Sequence, residues 1–124
     1  MFPFTDFCEE ILGFINSTQT LSQELLEILD VIFPGQLESA LHLIDSSALS
    51  GLIASESRRV VYLAKGKQPY TVMPNYCSCP AFSFSVLKDT SYMCKHQLAL
   101  RIALALGKVK FEEVKDADLH TYIH

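Results

Sequence analysis

The first 57 residues contain no lysine or arginine, although they hold nine carboxylates. All ten basic side chains lie at or after Arg58, while the whole chain carries a formal net charge of −4. The acidic first part should avoid nucleic acid, because carboxylates and phosphates repel each other. The basic second part could contact phosphates or the acidic part of the same chain, and both interpretations stay open.

Targeting and membrane signals are also missing. No basic stretch precedes an apolar run at the amino terminus, as a secretory signal requires. The longest apolar run, 98–106, is too short to span a bilayer and contains Arg101. We find no Gly-rich phosphate loop, nucleophile elbow or evident pair of catalytic carboxylates. We therefore expect no membrane association and no common catalytic motif.

Apolar residues make up 49% of the 124 residues, and the mean hydropathy is +0.22. A chain of this length forms one domain, or one domain with an appended subdomain, and buries roughly two-thirds of its unfolded surface. Such a core does not hide all of this apolar surface. We therefore expect an exposed apolar patch that binds a partner, with a well-packed monomer as the alternative.

Three of the four cysteines lie in one window: Cys77-Ser-Cys79, then fourteen residues, then Cys94-Lys-His96. A single residue between Cys77 and Cys79 is too short for an unstrained disulfide, but it suits two thiolates on one metal. Three thiolates and an imidazole are a ligand set of structural zinc sites and disfavour magnesium and calcium. Four protein ligands leave no open position for water, which argues against a metal hydrolase. Without a signal peptide, this usage of cysteine indicates a reducing compartment.

The residues around these ligands resemble the SWIM zinc-finger family, whose pattern is C-x-C, a spacer and C-x-H. Pro80 and Phe82, after the second cysteine, match as well. The resemblance implies one structural zinc ion held by Cys77, Cys79, Cys94 and His96.

Within this family, residues 57–60, 76–87 and 94–96 look like the small SWIM-domain subunits of Shu complexes. That resemblance implies a nuclear, non-catalytic adaptor that binds a RecA-like recombinase paralogue. Such an adaptor supports homologous recombination in the repair of DNA damage. Single-stranded DNA would then be contacted through the complex.

Helical periodicity covers much of the first 50 residues. Apolar residues at helical spacing predict helices over 6–16, 20–33 and 36–45. Thr20, three residues before Gln23, is the predicted cap of the second helix. His42 falls off the apolar stripe of the third helix, so we expect it in solvent.

After residue 45 the helical spacing of apolar residues ends. Residues 46–57 are rich in serine and indicate a connection with a short strand at 51–54. The runs 59–64 and 70–73, around a glycine turn, predict a β-hairpin that leads into Cys77.

The second ligand pair should open a helix over 94–106, where the helix dipole stabilises the Cys94 thiolate. This helix is apolar nearly all round and should be central to the fold. Residues 109–111 should be extended, and Asp116 is expected to cap a last short helix. Leu119, Tyr122 and Ile123 should pack back from it, while His120 and His124 should be solvated.

Together these patterns predict an α+β fold in which N-terminal helices pack on a small β-hairpin zinc finger that is followed by an apolar helix. We divide it into an N-terminal helical region (1–50), the SWIM zinc-finger region (51–107) and a C-terminal tail (108–124), which are expected to form one compact unit.

Two surfaces follow as predictions. The apolar stripe of 21–33 and the helix after His96 are expected to bind the partner, through Leu25, Leu29, Ile32, Phe33 and Ile102. The alternative function is a direct single-stranded DNA-binding zinc module, although the pI of about 5.5 and the lack of a base-reading motif speak against it. Its candidate contacts are Arg58, Arg59, Lys65, Lys67, Lys88, Lys95 and Arg101.

The aromatic and aliphatic side chains between the ligand pairs have two possible roles. They are expected to cover the metal and exclude water from the thiolates, and the alternative is stacking on bases. They are Phe82, Phe84, Val86 and Leu87.

Overall fold

The computed structural model describes residues 10–13, 20–65, 69–73, 76–80 and 93–122. These residues form helices and one β-sheet, which confirms the predicted α+β fold. The helices are α1 (Gln23–Ile32), α2 (Gln36–Asp45), α3 (Lys95–Leu106) and α4 (Asp116–Leu119), with a 3-10 turn at His120–Tyr122. The strands are β1 (Leu49–Ala54), β2 (Val60–Ala64), β3 (Tyr70–Met73), β4 (Tyr76–Cys77) and β5 (Lys110–Val114).

The five strands are ordered β4-β3-β2-β1-β5. Neighbouring strands run antiparallel from β4 to β1, and Gly51 of β1 lies opposite Tyr62 of β2. Only β5 is parallel to its neighbour, with Phe111 opposite Gly51. The predicted hairpin is therefore the β2–β3 part of a larger sheet.

One face of the sheet packs against α3. Leu98, Leu100 and Ile102 are fully buried there, in a cluster that also holds Leu49 and Val72 of the sheet. Helices α1 and α2 join the same cluster, and α2 packs along α3. Helix α3 ends at Gly107, whose φ of 70° lies in the left-handed region where glycine is favoured. The prediction that this apolar helix is central to the fold is confirmed.

The other face of the sheet is covered by the C-terminal segment. Leu119 of α4 is buried against Leu52, Val61 and Leu63 in a second, smaller cluster. The prediction that Leu119 packs back is confirmed. The Tyr122 side chain, Ile123 and His124 lie outside what the structure describes.

Two predicted caps are wrong. Helix α1 is capped by Ser22, whose hydroxyl accepts a hydrogen bond from the Leu25 N–H at 3.2 Å, and it starts later than Thr20. Asp116 is the first residue of α4, and its carboxylate accepts hydrogen bonds from the backbone N–H groups of Glu56 (2.8 Å) and Ser57 (3.0 Å). It thereby fastens the C-terminal segment to the β1–β2 turn. A hydrogen bond from the Ser57 side chain, followed by the backbone bond from Glu56, lowers the pKa of Asp116 below its ordinary value.

The serine-rich connection is shorter than expected. Strand β1 begins at Leu49, so it crosses the predicted boundary between residues 50 and 51 and pairs on both edges. Helix α2 has the predicted bounds. Of the predicted helix over 6–16, the structure describes residues 10–13, and these are helical. The remainder of that first helix lies outside the described residues. His42 and His120 are exposed, as predicted.

Candidate metal centre

The four predicted metal ligands come from two parts of the chain, which meet beside the edge strand β4. One part is β4 with the residues that follow it, and the other is the start of α3. Cys77 is the last residue of β4, and Cys79 follows two residues later. Cys94 is the N-cap of α3, and His96 lies in its first turn. Their ligand atoms all lie within 4.8 Å of one another. That spacing is close to the separation of about 3.8 Å expected at a tetrahedral zinc with bonds of about 2.3 Å.

The ligand residues are closed off from solvent. None of the four is more than 6% exposed. Among the described residues, Nδ1 of His96 has no hydrogen-bond partner although it is buried. An unsatisfied buried nitrogen costs roughly 1–3 kcal/mol, and a metal ion in this cluster would satisfy it. The His96 ring packs against Tyr70, with ring centroids 5.1 Å apart.

The start of α3 prepares Cys94 as a thiolate. The Gln97 backbone N–H donates to the Cys94 sulfur, and the Cys94 N–H donates to Oε1 of Gln97 at 3.1 Å. A hydrogen bond from the Cys77 thiol lowers the pKa of Cys94 to about 4. The same contact, together with burial, raises the pKa of Cys77. A metal ion that binds both sulfurs must displace the thiol proton that lies between Cys77 and Cys94.

Ser78, between the first two ligands, fixes the loop that carries them. Its backbone N–H donates to the Thr71 carbonyl at 3.0 Å, and its hydroxyl accepts from the Thr71 N–H at 3.0 Å. These two hydrogen bonds to β3 fix the backbone between Cys77 and Cys79.

The N-terminal helices reach the second ligand pair. Nε2 of Gln36, at the start of α2, donates to the Met93 carbonyl at 3.2 Å, one residue before Cys94. The centre thus connects β4, α3 and α2. Its donor set, its burial and the unpaired imidazole nitrogen fit one structural zinc ion.

Comparison with known proteins agrees with this chemistry. The family model of the SWIM zinc finger matches residues 60–105. Zinc finger SWIM domain-containing protein 7 of Mus musculus is 36% identical over 119 residues, which are 92% of this chain and 78% of that protein. The chain belongs to this family of SWIM zinc-finger proteins.

Two further relatives are similar over comparable lengths. The Homo sapiens protein of the same name is 34% identical over 92% of this chain and 84% of its own length. The Dictyostelium discoideum homolog is 35% identical over 87% of this chain and 72% of its own length. No solved structure matches the chain. All these relatives are named as zinc-finger proteins.

The basic residues predicted to contact DNA do not form one patch among the described parts of this SWIM protein. Arg58 and Arg59 are exposed in the β1–β2 turn, and Arg58 forms an ion pair with Glu113 at 3.6 Å. Lys65 is exposed beyond the other end of β2, about 20 Å away at the usual rise of a strand.

The remaining basic candidates are scattered. Lys95, on α3, lines an open groove together with the carboxylates Glu38 and Asp45, so the local charge is mixed. Arg101 is half-buried. Lys67 and Lys88 lie outside the described residues, as do the side chains expected to cover the metal, 82–87.

Most of the residues predicted to bind a partner lie in the chain's own core. Leu25, Leu29, Phe33 and Ile102 are buried, because α1, α2 and α3 cover one another's apolar stripes. Their side chains are therefore not exposed to a partner, and this part of the predicted surface is corrected. Ile32 is half-buried, whereas Val31 beside it is 82% exposed.

Sequence reasoning identified the ligands but missed Ser78, Gln97 and Gln36. The only sequence signal for Gln97 was its place three residues after Cys94, the spacing of a capping box. Ser78 and Gln36 gave no signal, because their partners lie in other elements. None of the described helices has both the length and the apolar character needed to cross a bilayer.

Proposed function

We propose that this chain is a zinc-stabilised, non-catalytic adaptor that binds a RecA-like recombinase paralogue and supports homologous recombination in DNA repair in the nucleus. The observation that carries the proposal is the burial of all four ligands, none more than 6% exposed. A zinc ion with four protein ligands has no position for a substrate or a reactive water. Its contribution is structural, and the function then belongs to the surface that it stabilises.

The energy of such a centre is large compared with the stability of the domain. Structural zinc contributes roughly 10–16 kcal/mol in small fingers, whereas a whole domain is stable by roughly 5–15 kcal/mol. Because the centre connects β4, α3 and α2, zinc loss should disturb the N-terminal helices as well as the finger. Partner binding through those helices then depends on zinc.

The surface we assign to the recombinase paralogue is the outward side of α1. Val31 is 82% exposed there, and the exposed carboxylates Glu24, Glu27 and Asp30 precede it on the same helix. No lysine or arginine occurs anywhere in the first 57 residues. A complementary partner surface would therefore be apolar at its centre and basic at its rim.

The test is co-expression with a RecA-like paralogue, followed by zinc analysis and measurement of binding. We expect one zinc per chain in the complex. Cys94→Ala should lose zinc and partner binding together, because an incomplete site leaves three ligands. The matched control is Cys8→Ala, which removes the cysteine outside the metal motif and should keep both. Full partner binding by the metal-free Cys94→Ala chain would contradict the proposal.

In this proposal single-stranded DNA is contacted by the assembled complex. The separation of Arg58 and Arg59 from Lys65 supports this over binding by the chain alone. A salt titration with labelled single strands distinguishes the two: the complex should bind with steep salt dependence, and the chain alone should bind weakly. Equally tight binding by the chain alone would favour a direct DNA-binding module.

A further inference from the structure

Strand β5 is an edge of the sheet with an unpaired backbone. Its described neighbour is β1, and the outer side of β5 has no hydrogen-bond partner among the described residues. The Val114 carbonyl accepts from the Ser55 N–H at 2.8 Å, so it points toward β1. Because backbone groups alternate sides along a strand, the N–H and C=O groups of Phe111 and Glu113 point outward. No described residue pairs with these groups, so another strand can do so.

The side chain of Phe111 does not shield this edge. Its ring lies over Gly51, where a Cβ atom would be only 2.6 Å from the ring carbon Cδ1. The ring also meets Tyr62 edge to face, at 6.1 Å between centroids. It therefore leans inward over β1, yet it stays 49% exposed. An added strand could cover the exposed half of the ring.

The charges along β5 complement those of the same strand in reverse. In an antiparallel pair centred on Phe111, Lys110 lies opposite Glu112 of a second copy, and Glu112 lies opposite its Lys110. Symmetry thus gives two oppositely charged pairs, with the two Phe111 residues opposite each other at the centre. Opposite charges directly across an antiparallel pair are stabilising.

Neighbouring registers are unfavourable. If one strand shifts by one residue, backbone N–H and C=O groups that point outward on one copy lie opposite groups that point inward on the other. The hydrogen bonds between the strands then cannot form. A pair centred on Glu112 places two glutamates opposite each other, and a pair centred on Lys110 places two lysines opposite each other. Like charges directly opposite are destabilising. Of these registers, only the one centred on Phe111 is complementary.

We propose that the outer edge of β5 pairs with the same edge of a second copy of this chain, antiparallel and centred on Phe111. The two five-stranded sheets then form one continuous sheet across a two-fold axis. Such an interface is isologous and closes at two chains. It leaves α1 and the metal centre of each copy uncovered by β5, so it is compatible with the adaptor function without depending on it.

The test measures the self-association of the zinc-loaded full chain by sedimentation equilibrium over a wide concentration range. The unmodified chain should form a dimer and nothing larger. Lys110→Glu and Glu112→Lys each convert two attractive pairs into two repulsive ones, so each should weaken the dimer by roughly tenfold or more. The double variant Lys110→Glu/Glu112→Lys restores opposite charges and should recover the dimer.

Mixing provides a sharper test. An equimolar mixture of the two single variants places an acidic strand against a basic one, so it should form the heterodimer that neither variant forms alone. The matched control is Lys108→Glu. It makes the same lysine-to-glutamate change at a residue outside the Lys110–Glu112 pairs, so it should keep the dimer. Zinc content and far-UV circular dichroism confirm that each variant is folded.

A monomeric chain at the highest concentration would overturn the proposal, and an extended segment of a different protein would then be the occupant to seek. A dimer that is unaffected by the single charge reversals would also overturn it, because that dimer uses another surface.

Discussion

At the residue scale, the metal centre depends on groups that do not bind metal. Gln97 is almost fully buried, and it holds Cys94 through two hydrogen bonds, one in each direction. Ser78 does the same for the first ligand pair through Thr71. Such supporting bonds orient the ligands, and their loss typically weakens metal affinity by about 10–100-fold.

Gln97→Ala therefore should weaken zinc binding by roughly tenfold, because it leaves the buried Cys94 N–H unpaired. The measurement is competition with a chelator of known affinity. Gln23→Ala is the matched control, because that glutamine is exposed and its side chain donates to Glu27 on the same helix. Its loss should leave zinc affinity unchanged. Equal affinities for both variants would show that the capping bonds do not hold the ligand.

At the element scale, features formed by residues close together in the chain were predictable from the sequence. Features that depend on contacts between distant segments were not. Helix α2 was predicted at its observed bounds and α3 within one residue, because helical periodicity is local. The metal ligands were predictable for the same reason, since they fall within twenty residues of sequence.

Strands β1 and β5 were predicted only in part, as a short strand at 51–54 and an extended stretch at 109–111. Their parallel pairing joins segments about 60 residues apart, and neither has a strong strand pattern alone. Ser50 and Gly51 interrupt β1, and β5 is mostly charged. The parallel contact between them, together with the pairing of β1 with β2, completes both strands.

The closeness of that contact gives a prediction at the same scale. Gly51→Ala should destabilise the fold by about 1–3 kcal/mol, because the new methyl group would overlap the Phe111 ring. The measurement is urea unfolding of the zinc-loaded protein. Gly13→Ala serves as the control, since its Cβ would meet nothing within 4 Å, and it should not destabilise the fold. Equal stability of the two variants would mean that Phe111 does not lie over β1 in solution.

At the scale of the whole molecule, one centre connects parts of the chain that are distant in sequence. Residues of α2, β4 and α3 meet there, and α1 packs on the same core. The smaller cluster of Leu52, Val61, Leu63 and Leu119 lies on the opposite face of the sheet. The two faces should therefore respond differently to loss of metal.

Removal of zinc with a chelator should reduce the hydrogen-exchange protection of α2 and α3 by a larger factor than that of β1 and β2. The physical reason is that zinc stabilises only states in which its four ligands are together. Exchange measured by mass spectrometry, with and without chelator, gives this comparison. Uniform loss of protection would instead indicate that the whole chain unfolds as one unit.

The position of α3 in the chain also matters during synthesis. Roughly 50 residues separate the end of α2 from the start of α3, so the ribosome needs roughly 3–10 s to produce the helix that covers Leu29 and Phe33. During that interval the first two helices display their apolar sides to the surrounding solution. We therefore expect the nascent chain to bind chaperones during this interval. Zinc shortage should lengthen the interval and lower the yield of folded protein.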